Sequence, residues 1–118
     1  MATDCPLLPH QLKRLAKRVP LGIARVGGLG ENFSGDIFIA FSTARLGKGD
    51  KLGIRQVTMY PDYEIDPLFE ATVQATEEAI VNALVAAKTM TGINSYTVHA
   101  IPHERLREVL RKNNRLAP

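Results

Sequence analysis

Ser34-Gly35-Asp36 places a hydroxyl and a carboxylate two positions apart, with a glycine between them. On an extended backbone, residues i and i+2 project to one face, so the serine can donate to the carboxylate and the pair can hold or polarise a third group. Gly35 would let another chain or a substrate approach closely. The same three residues are also ordinary turn chemistry, in which short polar side chains bond their own backbone and glycine accepts a positive φ. The local pattern leaves both readings open.

Other reactive side chains read more plainly. His99 and His103 are four apart, but Pro102 separates them and breaks the helical turn on which two histidines would share an ion. No metal or cofactor is implied. Cys5 is the single cysteine, which excludes an internal disulfide and a cysteine-based zinc site. Followed directly by Pro6, it reads as a packing thiol rather than a nucleophile. His10 reads as a first-turn surface residue. Glu77 and Glu78 diverge by roughly 100° on a helix, so they read as a solvated face rather than as paired acids.

The element that must carry Ser34 and Asp36 is the apolar run Ile37 to Thr43. Ile37, Ile39 and Phe41 would point to one face of a strand and Phe38, Ala40 and Ser42 to the other, which predicts an internal strand. Ahead of it, Gly27-Gly28-Leu29-Gly30-Glu31-Asn32 follows a helix and precedes a strand, the reverse of a dinucleotide-binding order, and has no Gly-Lys-Ser/Thr. These glycines are expected to fold the loop tightly beside the pair. Upstream, Leu12, Leu15, Ala16, Val19 and Ile23 recur at helical spacing, predicting an amphipathic helix from about Pro9 to Arg25 that Pro20 kinks or divides, with Lys13, Arg14, Lys17 and Arg18 mostly on its wet side. Downstream, Lys51 to Met59 has strand-like content and is expected to form a hairpin with the central strand. Asp66-Pro67 starts a helix to about Ala87, striped by Leu68, Thr72, Thr76, Ile80 and Leu84, with Gly92 as a stop. A short strand over Tyr96 to Ile101 and a helix opening at Pro102, with Leu106, Val109 and Leu110 inward, complete the order.

The composition is that of one globular α/β domain spanning 1–118. Hydrophobic residues make up 45% and charged residues 23%, which argues against disorder. No apolar run approaches the roughly 18 to 20 residues of a membrane span, and no basic-then-apolar leader opens the sequence. The expectation is a soluble, cytoplasmic chain with no membrane partner. The formal net charge is +3, with basic ends around an acidic middle. Both ends read as amphipathic helices whose charged faces need only water, and no motif interleaves aromatics with basic residues. Nucleic acid is therefore not expected as a partner.

Several long blocks in order carry a more specific signal. ATDCPLLPHQLKRLAKRVPLGIAR, SGDIFIAFSTA and IDPLFEATVQATEEAIVNALVAAKTMTG together resemble the carboxy-terminal part of the DmpA-type L-aminopeptidase/D-esterase and β-aminopeptidase family. The resemblance implies an αββα sandwich to which this chain supplies the β-chain part. It also implies a serine-type hydrolase made as one precursor, which cuts itself into an α chain and a β chain headed by the nucleophilic serine. In the family pattern that serine stands a few residues upstream of the segment matching Ala2-Thr3-Asp4, so it is expected outside this sequence. Ser34 and Asp36 match the supporting pair behind it, Asp36 being one methylene shorter than the glutamate some members carry. The implied partners are the α chain of the same precursor, a peptide or amino-acid amide substrate, and further copies in an oligomer. Alone, the 118 residues are expected to be inactive. The other reading is a non-catalytic interaction domain from a truncated or split gene.

Overall fold

A computed structural model describes residues 1–45, 53 and 56–116. These carry β1 (Ala2–Thr3), α1 (Pro9–Ala16), α2 (Val19–Arg25), β2 (Phe41–Ser42), α3 (Asp66–Ala86), β3 (Met90–Thr91), β4 (Thr97–Val98) and α4 (His103–Lys112). They gather into two compact units, Met1–Glu78 and Ala79–Pro118.

In the first unit β1 and β2 run parallel, with Ala2 opposite Phe41 and Thr3 opposite Ser42. Met1 N donates to Ile39 O at 2.7 Å, Phe41 N to Met1 O at 3.0 Å and Thr43 N to Thr3 O at 2.9 Å. Ser42 Oγ adds a bond to Cys5 O at 2.6 Å. The core gathers beside this ladder, where Leu7, Leu15 and Ile65 are buried against Leu12, Tyr60, Leu68 and Phe69.

Proline divides the first helical run as its chemistry requires. Pro20 has no N–H for the Ala16 carbonyl and its ring would crowd that oxygen, so α1 stops at Ala16 and Pro20 falls in the first turn of α2. Of the basic residues expected on the wet side, two are drawn in. The guanidinium carbons of Arg18 and Arg14 lie 3.7 and 5.1 Å from the centre of the Phe69 ring, where their stems also cover apolar surface.

Helix α2 packs on α3 through buried Gly22. A Cβ there would stand 2.5 Å from Thr76 Cβ and 2.7 Å from the Val73 carbonyl oxygen. Gly22→Ala must therefore push the two helices apart, and a loss of about 1–3 kcal/mol is expected despite alanine's better helix propensity. A urea titration checks this through a lower midpoint at unchanged slope. Glu77, expected on a solvated face, is instead half-buried and pairs with Arg25 at 2.5 Å, because α2 crosses α3 at that level.

The central strand differs from expectation. Regular strand is confined to Phe41–Ser42, and only the Phe38 and Ala40 side is half-buried, towards α1. Ile37 is 87% exposed, and Ile39 and Phe41 are exposed with it, since no element among the described residues covers that face. Of the other half of the expected hairpin, Lys51, Leu52, Ile54 and Arg55 lie outside the described residues. Gln56 to Met59 carries no strand.

The second unit holds the last turns of α3, an antiparallel hairpin pairing Met90 with Val98 and Thr91 with Thr97, and α4. Gly92 is not the stop of α3, which has already ended at Ala86. It opens the hairpin turn, where Asn94 and Ser95 adopt left-handed φ of 55° and 61° and Gly92 N donates to Tyr96 O at 2.8 Å. Strand Tyr96 to Ile101 is shortened to Thr97–Val98. His103 Nε2 donates to the Val85 carbonyl at 2.9 Å. Leu106 and Leu110 are half-buried as expected, but Val109 is exposed.

Candidate functional site

The lead-in to β2 forms the site. Ser34 N bonds the Glu31 carbonyl at 2.8 Å, closing a turn at the start of the segment that leads into β2. Ser34 Oγ then donates to Asp36 Oδ2 at 2.5 Å. The side-chain pair forms, whereas the turn lies upstream at Glu31–Ser34 and Gly35 does not take the positive φ of a Ser-Gly-Asp turn. Both side chains are exposed, and a Cβ added at Gly35 would meet no described atom within 4 Å apart from its two chain neighbours. A hydroxyl held this way has its proton committed to the carboxylate and its lone pairs free to accept from an incoming donor.

The glycine-rich loop lies beside the pair. Gly27 and Gly30 take φ of 97° and 66°, values that glycine adopts without strain. The turn they make brings Gly28, Leu29 and Gly30 next to Asp36. Together with Pro20, Ile23 and Ala24 of α2 they enclose an open cavity of about 230 Å³. A second concavity of about 360 Å³ runs between α1 and the lead-in to β2, lined by Leu12, Ala16, Phe38 and Ile39 among others.

Cys5 lies apart from this arrangement. Partial burial, reinforced by the Asp4 carboxylate, pushes its thiol above the ordinary range, which disfavours the reactive thiolate and agrees with a packing role. His10 is exposed on the first turn of α1, 3.8 Å from Asp62.

One residue that positions the scaffold escaped the sequence reading. Gln11 is completely buried, accepting from Leu8 N at 2.9 Å and donating through Nε2 to Tyr60 O at 2.8 Å and Asp62 Oδ1 at 2.9 Å. It clamps the segment from Tyr60 to Asp62 onto α1. Its sequence signal is a glutamine three residues after the position preceding the helix, where such a side chain can reach back to an orphan N–H. Asp62 also receives Arg14 Nη1 at 3.0 Å. The Gln11 hydrogen bond, then the Arg14 and His10 charges, hold its carboxyl below the usual range. Because the folded form binds this proton more weakly, the stability it contributes is complete above the unfolded value near 3.8 and is lost as pH falls through the lower folded value. Acid titrations of wild type and Asp62→Asn should accordingly converge at the acid end, the variant losing less stability on acidification.

Comparison with known proteins defines the class. The L-aminopeptidase D-Ala-esterase/amidase of Ochrobactrum anthropi, described as a prototype for the serine aminopeptidases and a variant of the Ntn hydrolase fold, superposes with a TM-score of 0.86. The two are 50% identical, over 97% of this chain and 32% of that one. The PH0078 protein of Pyrococcus horikoshii OT3 superposes with a TM-score of 0.88 at 45% identity, over 96% of this chain and 32% of its own. The chain therefore matches about a third of a DmpA-type amino-terminal-nucleophile hydrolase fold, in keeping with the α/β class expected from its sequence. Peptidase family S58 matches residues 1–98, and the chain belongs to that family. β-Peptidyl aminopeptidase BapA of Sphingosinicella microcystinivorans is 54% identical over 118 residues, 99% of this chain and 30% of BapA. The chain thus spans about 30% of the length of that relative.

Proposed function

We propose that these 118 residues are the β-chain portion of an aminopeptidase that removes amino-terminal residues from peptides, amides or esters. In this reading Ser34 and Asp36 support a nucleophile, an amino-terminal serine on a strand preceding Met1, and an α chain of the same precursor completes the site. The observation that carries the reading is the Ser34–Asp36 contact beside an approachable Gly35, in a chain of a peptidase family.

The strand register supports it. Ala2 stands opposite Phe41, so each residue of β1 faces the residue 39 positions later. A strand continued backwards in this register brings the fifth residue before Met1 opposite Gly35, flanked by Ser34 and Asp36. A few residues is also the upstream distance at which the family pattern sets its serine.

The chemistry follows from a serine with a free α-amine, whose pKa of about 8 leaves it substantially neutral at working pH. Its own amine takes the hydroxyl proton as Oγ attacks the scissile carbonyl. The tetrahedral intermediate collapses with that proton passed to the leaving amine, and water repeats the sequence on the acyl-serine. Ser34 accepts from the nucleophilic centre, and the Asp36 charge stabilises the ammonium formed when the amine is protonated. Donors to the oxyanion come from the α chain.

The test compares hydrolysis of aminoacyl p-nitroanilides by the 118-residue chain and by a polypeptide extended upstream through the α chain and serine strand. The proposal expects turnover by the extended protein and none above background by the shorter chain. Turnover by the shorter chain would refute the upstream nucleophile, and none by either would favour a non-catalytic interaction domain.

A further inference from the structure

The concavity of about 360 Å³ between α1 and the lead-in to β2 plays no part in the chemistry above, yet its walls are laid out to receive a chain. Pro9, Leu12, Lys13 and Ala16 line one side at helical spacings of three and four, a stripe of α1 next to the buried Gln11 and Leu15. Phe38 and Ala40 line the other, on the half-buried face of the lead-in. Only Lys13 among these residues carries a charge, and it is exposed. The backbone is open at the same place. Met1 bonds the lead-in twice, its nitrogen to Ile39 O and its carbonyl to Phe41 N. In a parallel ladder the next residue to bond is two positions earlier, and the groups it would meet are Ile37 O and Ile39 N. Among the described residues neither Ile37 N nor Ile39 N donates to any group. Paired side chains of a parallel ladder point to one face, so in the register that sets Ala2 opposite Phe41 the second residue before Met1 lies beside Phe38, on the side of α1.

We propose that this concavity is the seat of an aliphatic side chain two residues before Met1, held between Phe38 and the Leu12–Ala16 stripe, and that the seat fixes the register of the strand carrying the nucleophile. The inference rests on the upstream strand of the reading above and makes it more specific. The occupant is a segment of the same polypeptide, because Met1 already stands in the ladder and relatives run about three times the length of this chain. The volume exceeds the ~150 Å³ of a dry cavity that takes a benzene ring, so valine, isoleucine or leucine enters without strain. A polar side chain would give up water for apolar walls. A slip of one residue would turn the seated side chain to the exposed Ile37 and Ile39 face and carry the nucleophile away from Gly35. Leu12, Ala16 and Phe38 are positioning residues in this scheme, touching the strand rather than the reacting atoms.

Hydrogen exchange on the extended polypeptide tests the seat. The Ile37 and Ile39 amides should exchange at least about 100-fold more slowly than unstructured ones, as ladder amides do. Ala16→Phe, which fills the seat from the helix side, should speed exchange at Ile39 and lower kcat for aminoacyl p-nitroanilides about 10²-fold with KM changed less than about threefold, the pattern of a misplaced nucleophile rather than of weakened substrate binding. Free exchange at both amides of the unmutated protein, or a kcat within twofold of wild type in a folded Ala16→Phe protein, would overturn the seat, while hydrolysis by the unmutated protein would leave the aminopeptidase reading standing. Protected amides in a protein that hydrolyses no aminoacyl substrate would support the seat and overturn the aminopeptidase reading.

Discussion

Ser34→Ala and Asp36→Ala in the extended polypeptide are each expected to lower kcat for aminoacyl p-nitroanilides by about 10²–10³-fold, the range for removing one preorganised polar group from a reacting centre. The loss should fall on kcat more than on KM, because the positive charge that Asp36 stabilises is absent from the ground state and forms only when the terminal amine takes the proton. Asp36→Asn separates charge from shape. It can still accept from Ser34 Oγ, now held at 2.5 Å, but carries no charge, so kcat should fall nearly as far as in the alanine variant. The double variant should be little worse than the poorer single one, since two groups that act as a unit do not lose activity additively. Steady-state kinetics decide the matter. A kcat within twofold of wild type in either alanine variant would remove that residue from the site.

Gln11→Glu is expected to cost about 3–4 kcal/mol, a large fraction of the roughly 5–15 kcal/mol that holds a domain of this size together. The substitution is nearly isosteric, yet it replaces the amide that donates to Tyr60 O and Asp62 Oδ1 with an acceptor facing two acceptors, at a fully buried position. Urea unfolding near neutral pH should show the loss as a shifted midpoint. Acidification should reverse part of it. A buried, repelled glutamate has a folded pKa above its unfolded value near 4.3, so its protonated form is the compatible one, and the penalty grows as pH rises above the unfolded value until the folded pKa is passed. Wild type should show no such recovery on mild acidification. Equal midpoints for the two proteins at pH 7 would mean that the Gln11 clamp contributes nothing.

What was legible in the sequence follows from how local its cause is. Pro20 divided a helix and Asp66-Pro67 started one because those effects act within a turn of the chain. Ser34 and Asp36 came together because i and i+2 need only a locally extended backbone, and the positive φ values of Gly27 and Gly30 fold the loop against Asp36 as its composition suggested. The failures needed distant partners. The apolar pattern of Ile37, Ile39 and Phe41 reads as burial, but the face is exposed because burial requires a covering layer that the described residues do not supply. Relatives about three times as long offer a source for such a layer. Glu77 leaves solvent only because α2 brings Arg25 across to it, and Gln11 is held by Asp62, fifty-one positions away, a contact that no local pattern shows. Gly92 serves a hairpin turn rather than a helix stop, and the sequence does not separate the two because both ask for the same residue type.

The most direct measurement labels the nucleophile. The extended polypeptide would be treated with a serine-reactive sulfonyl fluoride and digested, and the modified residue located by mass spectrometry. The account predicts a single modification on the amino-terminal serine of the strand preceding Met1, at the position whose register falls opposite Gly35, with loss of activity in proportion to labelling. Modification of Ser34 or Ser42 that tracks the loss of activity would contradict it, making a serine of this chain the nucleophile rather than its support.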